Sequence, residues 1–171
     1  HYPSHLFRNA ERVEIEENRD GRRGAYANDL FTGEAVSFIE KNSAKPFFLY
    51  LAYTIPHAEL LVPEDSMKEY EDLGWPEKPF PGGHYAAQPK PNAARAGMIT
   101  RLDRDVGRLL ALLVRSIQAR RVLELGTSLG YSTLVLAAAL RETGGRLTSV
   151  EIRPELAEAA RAALRTAGLD A

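Results

Sequence analysis

Cysteine is absent from the 171 residues. That excludes disulfides, thiolate metal ligands and a cysteine nucleophile together. Long apolar runs are missing as well. None approaches the roughly 20 residues a membrane-crossing helix requires, and no leader with a charged start and an apolar centre opens the chain. Neither sign of charge dominates: Lys plus Arg is 22, Asp plus Glu is 23, and the formal net charge is -1. That balance speaks against nucleic acid as a partner and against a polybasic membrane anchor. With 44% hydrophobic and 26% charged residues the chain is expected to fold. It opens on His1 rather than Met, which is expected of a fragment or processed product. Cytoplasmic is the default compartment expected.

Other scarcities are local. Nine of the ten prolines fall at or before Pro91, thirteen of the fourteen aromatics at or before Tyr85, and no lysine follows Lys90. Residues 1–114 carry 14 basic and 17 acidic groups, whereas residues 115–171 carry 8 and 6. Two segments of different origin are expected, residues 1–107 and 108–171.

In the first segment, residues 1–27 are polar and turn-rich, and are expected to be irregular. A helix is predicted from about Asn28 to Lys41, with Leu30, Phe31, Ala35, Phe38 and Ile39 on one face. Pro46 then opens Phe47-Phe48-Leu49-Tyr50-Leu51-Ala52-Tyr53, which reads as a doubly buried parallel strand. It ends in Thr54-Ile55-Pro56-His57, and residues just past strand ends handle ligands in open α/β sheets. Position alone favours reading His57 as a loop histidine without a chemical task. Residues 63–92 read as a long ordered loop. From about Asn92, Met98, Ile99, Leu102, Val106, Leu109, Leu110 and Leu113 recur at helical steps, with Arg101 and Asp105 as an i,i+4 pair on the wet face.

Lys45 to His57, the helix ending Phe38-Ile39, and Met98-Ile99-Thr100-Arg101-Leu102-Asp103-Arg104-Asp105-Val106-Gly107 appear in an order that resembles the arylsulfatase family over residues 1–113. The resemblance implies part of an alkaline-phosphatase-like fold, with His57 as a sulfate-contact histidine. That family uses formylglycine made from Cys or Ser, and calcium. This sequence supports neither: cysteine is absent, and Ser4, with Arg8 four residues on, has Leu6 where proline belongs. The paired aspartates and the Asp-Asn-Gly run are also missing. His57 is therefore expected to be a remnant, with no complete catalytic set, no metal ligands and no sulfatase activity.

The second segment alternates element types. Val122-Leu123-Glu124-Leu125 reads as a short buried strand, Gly126-Thr127-Ser128-Leu129-Gly130 as a loop, and Tyr131–Arg141 as a helix. A second strand, Arg146 to Glu151, and a helix from Pro154 to a Gly168 stop follow. This is a strand–helix–strand–helix unit with an expected right-handed crossover. Glycines at a strand-to-helix turn let backbone approach a ligand, and the helix start favours an anion. Glu151, 25 positions after Gly126, has the chemistry to accept hydrogen bonds from a ribose diol. The Glu-x-Gly-x-x-x-Gly spacing of Glu124, Gly126 and Gly130 differs from the dinucleotide and triphosphate loops.

Val122 to Ser132 and Gly145 to Glu151 resemble class I S-adenosylmethionine-dependent methyltransferases over residues 108–171, most of all the O-methyltransferases of caffeoyl-CoA and catechol type. By that resemblance Glu124, Gly126, Ser128, Gly130 and Ser132 line the methionine end of the cofactor and Glu151 holds the ribose. The family's later strands, which carry its metal ligands and substrate-deprotonating groups, are expected to be missing. The fold expected is α/β: a partial sulfatase segment joined through a long amphipathic helix to a partial Rossmann-like methyltransferase unit. The Gly107–Val114 run fits either parent, which places the seam between about Val106 and Arg115 and leaves a rearranged gene product as the leading reading. Such a fusion is expected to be incomplete as either enzyme, to bind S-adenosylmethionine weakly and to self-associate through exposed sheet edges. Two alternatives stay open: a non-catalytic S-adenosylmethionine-binding module, and an enzyme completed by a partner chain.

Overall fold

The computed structural model describes residues 1–169 and is mixed α/β. The last two residues of the second expected segment lie outside the described range. The chain divides into two units. The first comprises residues 1–34 and 50–105, the second residues 35–49 and 106 onward, so that two of the three divisions fall inside helices and the third falls between residues 49 and 50.

In the first unit, residues expected to be irregular form a hairpin. β1 (His5–Arg8) pairs antiparallel with β2 (Glu11–Glu14), in a register running from His5↔Glu14 to Arg8↔Glu11. Asn9 takes the left-handed conformation at the turn, φ 56°, one of the few non-glycine residues suited to it. Side-chain pattern conceals this hairpin because only Leu6 and Val13 mark its inner face, while the pairing itself is made by backbone. A 3₁₀ segment, Glu16–Gly21, follows. Its buried Asn18 amide donates to the carbonyls of Pro3 and Ala25 and accepts from the Ala25 N–H, fastening the hairpin's base.

α1 (Ala27–Asn42) matches the predicted helix to within a residue at each end. Buried Thr32 donates to the Asn28 carbonyl and meets the Tyr53 hydroxyl at 2.7 Å. The run from Phe47 to Tyr53 forms no strand ladder, contrary to the predicted buried strand. Alternate residues are covered and open, and Phe48 is 86% exposed, so no second layer packs on its outer side. The predicted loop over 63–92 contains a short helix, α2 (Glu64–Met67), and a Phe80↔Gln88 bridge, and its last two residues already belong to the helix that follows.

α3 (Pro91–Ser116) begins in the first unit. Met98 packs with Tyr26 and Ile55 in a core bordered by Tyr2, Leu60, Val62 and Leu102. Arg101 departs from its expected solvated setting. Its side chain is only 21% exposed, and its guanidinium donates to both Asp29 oxygens, to Asp65 and to Ser66 Oγ. Burial pushes the Asp65 carboxyl up, but the Arg101 charge and hydrogen bonds outweigh it and hold the group below its ordinary range. One helix-spaced arginine thus joins α1, α2 and α3.

In the second unit, β3 (Arg121–Leu125) and β4 (Arg146–Val150) are parallel, with Glu124 opposite Ser149 and Leu125 opposite Val150. α4 (Tyr131–Thr143) lies between them in sequence, and α5 (Pro154–Thr166) begins, as predicted, on proline. Val114, Leu136, Ala139 and Leu140 form the core, with Val122 and Leu147 from the strands. The other sheet face is bare: Leu123, Leu125 and Val150 are exposed, so β3 is not the fully buried strand its sequence suggests. An apolar run reads identically whether one or both faces are covered. Arg115 clamps Glu142 with two bonds, at 2.6 and 2.7 Å. No helix among the described residues is long and apolar enough to cross a membrane.

Close approach of α2 to α3 depends on Gly97, where a methyl group would stand 2.4 Å from the Ser66 carbonyl oxygen. Gly97→Ala is expected to lower stability by about 1–3 kcal/mol through overpacking, read as an earlier midpoint in urea unfolding.

Candidate functional site

The loop from Gly126 to Gly130 leaves β3 at its carboxyl end and enters α4. The Gly126 N–H extends the ladder to the Val150 carbonyl at 2.8 Å, so the loop starts on rigid sheet. Three of its residues are left-handed: Gly126 at φ 90°, Ser128 at 50° and Gly130 at 88°. The glycines do different work. No atom lies within 4 Å of a Cβ built on Gly126, which leaves that side of the loop open to a ligand. A Cβ on Gly130 would stand 2.9 Å from Ala160 Cβ, so this glycine permits the close approach of α5.

Glu151, just past β4, folds over the loop. Its Oε2 accepts from the Ser128 N–H at 2.8 Å and its Oε1 from the Arg153 N–H at 3.0 Å. These backbone bonds, the one from Arg153 foremost, hold the partly exposed carboxyl below its ordinary range. The carboxylate is therefore ionised and oriented at neutral pH.

Glu124 faces the helices. Its Oε1 accepts from Ser132 Oγ at 2.5 Å, and its Oε2 accepts from Thr133 Oγ1 and Ser149 Oγ, both at 2.6 Å. Thr127 Oγ1 meets Ser149 Oγ at 2.5 Å. Beside this network lies a trough of about 970 Å³ between α4, β4 and α5, lined by Thr127, Thr133 and Ser149 and by Leu140, Leu147 and Leu164.

The structure thus brings Glu124, Gly126, Ser128, Gly130, Ser132 and Glu151 to one strand-end loop. His57 belongs to the first unit. It is exposed, its N–H donates to Met98 Sδ at 3.4 Å, and its ring stands edge-on to Tyr85. No group of three or more His, Cys, Asp or Glu among the described residues is arranged to hold a metal. Sequence reasoning missed Thr127, Thr133 and Ser149. The available signal was polarity on the wrong face: strand alternation places Glu124 and Ser149 with Val122 and Leu147, where helices cover the sheet.

Residues 90–171 match the family model described as O-methyltransferase. Catechol O-methyltransferase of Mycobacterium tuberculosis is 49% identical over 65 residues, which cover 37% of this chain and 28% of that protein. Transmembrane O-methyltransferase of Homo sapiens is 41% identical over 78 residues, 46% of this chain and 26% of that protein. Catechol O-methyltransferase of Niastella koreensis is 42% identical over 77 residues, 44% and 34% respectively. The chain spans about a quarter to a third of the length of these relatives. Its second half is O-methyltransferase-like in sequence.

Gly130→Ala combines a left-handed backbone with a contact to Ala160 that no side-chain rotation relieves. A loss of about 1–3 kcal/mol is expected, seen as a lower thermal midpoint, whereas Gly126→Ala meets no neighbouring atom and should cost less.

Proposed function

We propose that residues 108–171 are the cofactor-binding portion of a class I S-adenosylmethionine-dependent O-methyltransferase. In this reading they are fused to an arylsulfatase-like segment, residues 1–107, and the chain completes neither reaction alone. The observation that carries the reading is the oriented Glu151 carboxylate beside the open side of the Gly126 loop.

The residues fit the cofactor's chemistry. Each Glu151 oxygen already accepts one backbone N–H and retains further acceptor capacity, so the carboxylate offers two acceptors to a ribose diol. Glu124 Oε1 has one hydroxyl donor against two on Oε2, and so retains capacity for a cationic amino group near Ser132. Gly126 keeps side-chain bulk off the loop's open edge. When bound, S-adenosylmethionine supplies a sulfonium methyl group open to nucleophilic attack. The first segment's sulfatase reading rests on the Lys45–His57 and Met98–Gly107 motifs, with His57 as a remnant.

Isothermal titration of the full chain with S-adenosylmethionine should show weak saturable binding. Glu151→Ala should weaken it at least tenfold, which is about 1.4 kcal/mol. Because the Glu151 carboxyl titrates below its ordinary range, its contribution should hold from neutral pH downward and fade only as pH drops through that lowered value. Absence of binding by the unmodified chain would discard the reading.

The bare sheet face supports self-association of this chain. Leu125 is 76% exposed and Ile152 93%, beside exposed Leu123 and Val150. Sedimentation velocity should show concentration-dependent association, reduced by Leu123→Lys together with Leu125→Lys. A monomer at all concentrations would reject it.

A further inference from the structure

We propose that Thr133, Ser149 and Thr127 are positioning residues that hold the Glu124 carboxylate aimed for the cationic end of the ligand. This rests on the S-adenosylmethionine reading above. The inference starts from a count of protons. Ser149 has one hydroxyl hydrogen, and it goes to Glu124 Oε2. The 2.5 Å contact between Ser149 and Thr127 therefore runs with Thr127 as donor. Thr127 polarises Ser149, Ser149 donates to Glu124, and Thr133 donates to the same oxygen. Chains of hydroxyls aligned in this way reinforce one another.

The clamp draws on four pieces of structure: β3 supplies Glu124, the loop Thr127, α4 Thr133 with Ser132, and β4 Ser149. Thr127 and Thr133 are buried, 7% and 3% exposed, so water does not readily replace them. Among the described residues no Lys, Arg or His makes an ion pair with Glu124. Neutral hydroxyls stabilise the charge without cancelling it. A purely structural role would be served as well by neutral partners. A carboxylate whose hydrogen-bond partners are all hydroxyl groups is suited to a cation arriving from outside, and two donors crowd Oε2 while Oε1 takes one.

The test compares two ligands on the full chain by titration calorimetry. S-adenosylmethionine carries the amino-acid end; 5′-methylthioadenosine has the ribose and base but lacks that end, and so reports the Glu151 side alone. Thr133→Val and Ser149→Ala should each weaken S-adenosylmethionine at least fivefold and change methylthioadenosine affinity less than twofold. Thr133→Ser and Ser149→Thr should restore binding, because each returns the hydroxyl. Equal loss of both ligands, with no rescue by the hydroxyl-retaining variants, would assign the cluster a structural role and overturn the proposal, as would unchanged S-adenosylmethionine affinity. Failure of the unmodified chain to bind either ligand would instead overturn the reading it rests on.

Discussion

Burying part of a carboxylate without a cation demands that hydrogen bonds replace the water it gives up. Glu124 imposes that demand on the second unit, and the local arrangement follows from how it is met. Ser132 and Thr133 come from the first turn of α4, so the helix must start where it does. Ser149 comes from β4, so the parallel register must set it opposite Glu124. With strand and helix both committed to one side chain, the five residues between Leu125 and Tyr131 have little freedom. They complete the connection only through left-handed backbone at Gly126, Ser128 and Gly130.

The first unit meets a related demand with opposite charge. Arg101 is largely covered and is satisfied by Asp29, Asp65 and Ser66, which ties three helices through one guanidinium. There the charge is cancelled locally by carboxylates. Around Glu124 it is not. That contrast follows from partner chemistry more than from burial.

Much of the architecture was legible in the residues. Helical spacing located α1, α3, α4 and α5, proline marked the start of α5, and glycines marked the loop that joins β3 to α4. Misreadings share a physical cause. The hairpin of His5–Glu14 is stabilised by backbone pairing, to which polar side chains give no clue. The Phe47–Tyr53 run has a strand's composition, yet composition does not say whether a neighbouring strand pairs with it. Arg101 looked solvated because its partners, Asp29 and Asp65, are 72 and 36 residues away.

Residue order alone determined which elements form in the second unit, the glycine spacing of its loop, and the acidic residues at the ends of two strands. Those depend on local conformational preference and on covalent distance. Only the tertiary structure decided that Glu124 is held by Thr133 and Ser149, that Thr127 donates into the same network, and that one sheet face stays bare. Hydrogen bonds of about 2.6 Å between residues 25 positions apart exist only when strand register and helix start coincide. No local rule in the chain encodes that coincidence.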